Sequence, residues 1–99
     1  MPKIGYIYSV QFSWDPRKAA SNLKKHRVSF AEAQTVLENP LTDYAPDLDH
    51  DDPRLRALGE SSRGRLLYVV CVEYGDDHLR IISARRADSQ EREDYEKSH

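Results

Sequence analysis

The chain has 99 residues, 38% of them apolar and 32% charged, with a net charge of -2. That length suits one domain (residues 1–99) with a small core, and excludes a multidomain assembly. Charge of both signs is spread over most of the chain, which does not suit a disordered acidic or basic tail. No apolar stretch approaches the roughly 20 residues of a bilayer-spanning helix and no signal-peptide pattern opens the chain, so the reading is a cytoplasmic protein with no membrane partner.

The charge is segregated. Asp43, Asp47, Asp49, Asp51 and Asp52 crowd a segment without Lys or Arg, and a second acidic group lies near the C-terminus. Arg17, Lys18, Lys24, Lys25 and Arg27, then Arg63, Arg65, Arg80, Arg85 and Arg86, leave room for a basic face on an acidic molecule. Cys71 is the single cysteine, so no internal disulfide forms. Its place in the apolar run Leu66 to Val72 marks a buried thiol; a nucleophilic role needs a neighbouring base and exposure.

Residues 3–12 alternate, with Ile4, Tyr6, Tyr8, Val10 and Phe12 on one side, which predicts a strand. Asp15-Pro16 then opens a helix, with Asp as N-cap and Pro at the first turn. Ala19, Ala20 and Leu23 form its apolar stripe, and Lys18, Asn22 and Lys25 share another face. Ser29 and Glu32 have capping-box spacing, so a second helix starts there; Phe30, Ala33, Val36 and Leu37 face the core, and Asn39-Pro40 ends it.

Residues 40–53 read as an acidic loop with three prolines. Strands follow over about 55–60, 65–74 and 78–84, separated by turns at 61–64 and 75–77. Asp88 and Glu91 repeat the capping-box spacing and start a last helix, anchored only by Tyr95. The order β-α-α-β-β-β-α describes an α+β domain: an antiparallel sheet with helices packed on one face.

Several blocks, taken in order, carry a resemblance. They are Phe12-Ser13-Trp14-Asp15, then Lys18 and Asn22, then Lys25-His26-Arg27-Val28-Ser29-Phe30 with Ala33. Later come Arg80-Ile81-Ile82-Ser83-Ala84-Arg85-Arg86-Ala87 and Glu91-Arg92-Glu93-Asp94-Tyr95-Glu96. Together they span residues 12–96 and resemble the BrnT family of toxins. The resemblance implies a RelE-like fold and a metal-independent ribonuclease that cuts mRNA and inhibits translation. It also implies a cognate BrnA-like antitoxin, through which alone DNA is bound, and no cofactor.

Metal-free RNA cleavage must position the backbone, take the 2′-OH proton, neutralise the phosphorane and protonate the leaving oxygen. Arginine suits the third task because its planar fork grips two phosphate oxygens. Arg80 and Arg85 are the first candidates. They differ by an odd number, so a regular strand places them on opposite faces. Their convergence requires the strand to end or bulge near Ser83-Ala84; otherwise one is a surface arginine.

His26 is either a proton carrier or a cationic cap on the first helix. Lys25 and Lys18 suit phosphate contacts or a solvated helix face, and Arg65 and Arg92 are further RNA-binding candidates. Tyr95 either stacks on a base, acts as an acid or fastens its helix to the sheet. Trp14 reads as core or as a stacking platform. His50 sits among aspartates without the spacing of a calcium loop, while His78 and His99 carry no signal. The competing reading is a non-catalytic binding module or co-repressor of a toxin–antitoxin operon. In both, Asp43 to Asp52 either mimics phosphates, meets a basic stretch of the antitoxin, or is a solvated loop.

Overall fold

The computed structural model describes residues 10–48, 51 and 53–99. In chain order the elements are β1 (Gln11–Ser13), α1 (Pro16–His26), α2 (Phe30–Glu38), β2 (Asp43–Pro46), β3 (Arg54–Glu60), β4 (Leu66–Tyr74), β5 (His78–Arg86) and α3 (Ser89–Ser98). The sheet runs β1-β5-β4-β3-β2.

Local signals set the helices. Asp15 caps α1 by accepting a hydrogen bond from the Arg17 amide, with Pro16 in the first turn. The helix ends at Arg27, whose φ of 59° places it in the left-handed region. Ser29 accepts from the Glu32 amide, but the Glu32 side chain does not return to complete a capping box. It turns inward to Ser61 and Arg65 instead. The box at α3 is complete, made by Asp88 and Glu91.

Four expectations change. The sheet is mixed, because β1 runs parallel to β5 (Gln11 opposite His78, Ser13 opposite Arg80). Short hairpins dictate antiparallel pairing for β3, β4 and β5. They say nothing of β1, which meets β5 from the far end of the chain. Most of the predicted strand 3–12 lies outside the described residues.

The acidic segment contains a fourth meander strand, β2, antiparallel to β3. Its half-buried Tyr44 donates a hydrogen bond to the Leu37 carbonyl of α2, tying a strand rich in Asp and Pro to the core.

The helices do not share one face. Phe30, Ala33, Val36 and Leu37 of α2 bury against Ala57, Leu67, Val69, Cys71 and Ile81. α3 lies on the other face, where it borders Leu58 and Tyr68, which alternate with Ala57 and Leu67 along their strands.

The predicted stripe on α1 also differs. Leu23 is 48% exposed and Ala20 exposed, while Asn22 is buried. β1 covers β5 only as far as Arg80, so the edge beyond it needs another partner. Asn22 supplies it: its Nδ2 donates to the Ala84 and Val28 carbonyls, and its Oδ1 accepts from the Ala84 amide. One side chain thus stands in for a strand neighbour and fixes α1 to β5.

Candidate functional site

Ile82 is the unpaired residue of a bulge in β5: Val70 pairs with Ser83, and Cys71 with Ile81. The extra residue resets the alternation. Arg80 pairs with Val72 and Arg85 with Tyr68, and Val72 and Tyr68 share the face of β4 opposite the buried Cys71 and Val69. Arg80 and Arg85 therefore lie on one face, the face opposite α1 and α2. The same parity adds Arg54 and Arg56 from β3 and Tyr68 and Tyr74 from β4.

Around Arg80 the groups are polar. Its Nη1 donates to Ser13 Oγ at 3.3 Å, and Ser13 Oγ lies 2.7 Å from His78 Nε2 in a second hydrogen bond. The His78 ring is 5.5 Å from that of Tyr74. Ser13, His78 and Arg80 thus form one cluster at the β1–β5 junction. His78 carried no sequence motif. The available signal was its i,i+2 spacing to Arg80, which puts both on one face of a strand.

Arg85 is held differently. Its Nη1 and Nη2 donate to the two Glu91 carboxylate oxygens, each at 2.8 Å, and its guanidinium stands 4.3 Å over the Tyr68 ring. The guanidinium, with the Asp88 amide, holds the Glu91 carboxyl below the usual range.

Lys18, Lys25 and His26 come together elsewhere. With Ser21, Asn22, Ile82 and Ser83 they line a hollow of about 210 Å³ at the edge of β5. Ile82 and Ser83 lie between Arg80 and Arg85 in the chain, so the basic residues of α1 gather beside the bulge that aligns those two arginines.

The remaining candidates, Arg65, Tyr95 and Arg92, lie apart from both groups. Arg65 makes a bidentate pair with Glu32, Nε to Oε2 at 2.9 Å and Nη2 to Oε1, and its Nη2 also donates to the Arg27 carbonyl. The Arg65 pair holds the Glu32 carboxyl well below its ordinary value. Tyr95 is buried and stacks on His99 at 4.1 Å; burial pushes its phenol up, away from a role as an acid near neutrality. Arg92 is exposed and borders a second hollow with Glu60, Leu66 and Glu96.

Trp14 is half-buried, edge-on to Phe30 at 6.1 Å. Cys71 is fully buried and its thiol is pushed up to about 12, chiefly by burial, so it is no nucleophile. His50, with Asp49 and Asp52, lies outside the described residues. Among the described residues no group of three or more His, Cys, Asp or Glu is arranged to hold a metal ion.

Two comparisons with known proteins identify relatives. Residues 14–91 match the family described as "Ribonuclease toxin, BrnT, of type II toxin-antitoxin system". The fold is similar to that of the Brucella abortus ribonuclease toxin BrnT, known from a crystal structure, with a TM-score of 0.66 and 28% sequence identity. The likeness covers 81% of this chain and 99% of the Brucella chain. A search of curated proteins returns no match. The family match spans most of the chain, including all of the basic strand β5 and its bulge, and the chain belongs to the BrnT family of ribonuclease toxins of type II toxin–antitoxin systems.

Proposed function

We propose that this toxin cuts mRNA on the sheet face bearing Arg80 and Arg85, without a metal, and so inhibits translation. The carrying observation is the bulge at Ile82, which turns both arginines to the face that holds the Ser13–His78 pair. In the reaction the 2′-oxygen attacks the adjacent phosphorus and the 5′-oxygen leaves, giving a 2′,3′-cyclic phosphate. His78, oriented by Ser13, exchanges protons with the sugar oxygens. Arg80 and Arg85 neutralise the phosphorane, as arginine forks do for phosphate oxygens. Lys18, Lys25 and His26 grip the flanking backbone at the edge of β5.

The setting is a RelE-like single domain in the cytoplasm, silenced by a BrnA-like antitoxin that carries the DNA-binding function. The test is direct. Purified, antitoxin-free protein is incubated with mRNA in the presence of a chelator. Cleavage with 2′,3′-cyclic phosphate ends supports the reading, and intact RNA across salt and pH overturns it.

A further inference from the structure

α3 meets the sheet with an unusual face. Glu91, Asp94, Tyr95 and Ser98 fall at i, i+3, i+4 and i+7, so they form one stripe, and all four line a cavity of about 330 Å³ above β2, β3 and β4. A helix held by packing alone would present apolar residues there; this one presents a single aromatic anchor and three polar side chains. The opposite wall carries Arg56, Leu58 and Tyr68, with Asp43 at the rim.

The cavity is continuous with the Arg85 site, because Tyr68 and Glu91 belong to both. Its size lies in the range of small-molecule pockets. Its chemistry is that of a base reader: an aromatic wall for stacking, a guanidinium donor, and carboxylate acceptors. Glu91 is committed to Arg85 and to the Asp88 amide, whereas the exposed Asp94 carboxylate accepts at one oxygen from the Gln90 side-chain amide, and Arg56 Nη2 makes a long, 3.4 Å hydrogen bond to the Pro46 carbonyl.

Guanine alone offers a pair of atoms to each of these two partners. Its N7 and O6 accept from an arginine, while its N1–H and N2 amine donate side by side to one carboxylate. Adenine turns an amine toward the arginine, and uracil and cytosine lack the N7 acceptor. We infer that this cavity is a guanine subsite. A base next to the phosphate held by Arg85 enters between α3 and the sheet, with Arg56 on its N7/O6 edge and Asp94 on its N1/N2 edge. The inference rests on the RNA-cleaving reading of the adjoining face.

Two measurements separate the subsite from the activity. In the first, cleavage sites on a mixed-sequence RNA are mapped by end sequencing. Guanine is expected at one fixed position beside the cut, enriched at least about tenfold, and Asp94→Asn and Arg56→Ala should abolish the enrichment. Replacing that guanosine with inosine, which lacks the N2 amine, should slow cleavage comparably. Cuts without base preference, or a preference unchanged in the Asp94 variant, overturn the inference.

The second uses uncleavable deoxydinucleotides and calorimetry. The guanine form should bind at least about tenfold tighter than the adenine and inosine forms, and the difference should vanish in Asp94→Asn whose circular dichroism is unaltered. Equal binding of all three overturns the subsite whatever the activity. Guanine-selective binding without cleavage leaves the subsite standing and overturns only the catalytic reading.

Discussion

Glu91 holds both terminal nitrogens of Arg85 at 2.8 Å, and so occupies the fork that a phosphate would take. The Arg85 side chain is 37% exposed, so the pair contributes about 1 kcal/mol or less to stability. Its larger effect is on availability. Glu91→Gln should loosen α3, seen as faster amide exchange in residues 89–98 than in β4. It should also raise RNA affinity, as Arg85 becomes free for phosphate. Glu93→Gln is the control, since it removes the same charge from an exposed position whose ion pair is with Lys97. If both variants gain equally, general charge rather than the release of Arg85 explains the effect.

Acid should unfold the protein through Glu32 and Glu91. Both carboxyls are held below their ordinary value of 4.5 in the folded chain, each chiefly by a hydrogen bond from an arginine. The stability they contribute is therefore complete above about pH 4.5 and fades as pH falls through their lower folded values. The urea midpoint should be level near neutrality and drop below that point. Glu32 is the larger contributor, because its side chain is only 4% exposed. Glu32→Gln should cost about 2 kcal/mol at pH 7 and flatten the acid limb. An acid limb unchanged in that variant assigns the effect to other carboxylates.

Much of this was legible in the chain, for reasons that differ by residue. Asp15-Pro16, Ser29 and Asp88 announce helix starts because capping is a local hydrogen bond between near neighbours. The run Leu66 to Tyr74 announces a strand because alternation is a backbone property. The bulge at Ile82 could only be posed as a condition for Arg80 and Arg85 to converge, since nothing in Arg80-Ile81-Ile82-Ser83 marks which residue goes unpaired. β2 stayed hidden because Asp43 and Pro46 are poor strand formers. Its partner β3 and the Tyr44 hydrogen bond to α2 override that preference. The roles of Glu32 and Asn22 are hidden for one reason: their spacing matches a helix pattern, while the sheet-side partners that decide their roles, Ser61 and Ala84, lie 29 and 62 positions away.

Asn22 offers a sharp test of the edge of β5. Asn22→Leu keeps the volume but leaves the Ala84 amide and the Ala84 and Val28 carbonyls without their partner. Each buried group so orphaned costs about 1–3 kcal/mol, so a loss of roughly 3 kcal/mol is expected by urea denaturation. The Ala84 amide should exchange faster than that of Val69, its partner in register. A loss below about 1 kcal/mol would mean that water replaces the side chain and that β5 needs no capping there.

Gly59 tests how tightly the β2–β3 corner is built. A Cβ at that position would stand 2.2 Å from Thr42 Oγ1 and 2.9 Å from its Cβ, and Thr42 is itself fixed by donating to the Val36 carbonyl at 2.6 Å. Gly59→Ala should cost about 2–3 kcal/mol. Thr42→Ala in the same chain should recover only part of it, because the Cβ contact remains and the Val36 hydrogen bond is lost.

Arg80 and His78 decide whether the second face of the sheet is chemical or merely adhesive. Arg80 reaches Ser13 and Ser13 reaches His78, so removing either end alters one cluster without touching the α1–α2 core. Arg80→Ala should lower cleavage by about 10²–10³ and His78→Ala by about 10²–10⁴, the ranges for losing a charge stabiliser and a proton carrier. Arg80→Lys should restore RNA binding but little of the rate, because an ammonium lacks the two-pronged fork. Antitoxin binding should survive in all three. Toxic variants with unchanged cleavage would instead make this face a docking surface. The histidine and arginine would then be structural partners of Ser13, and nothing more.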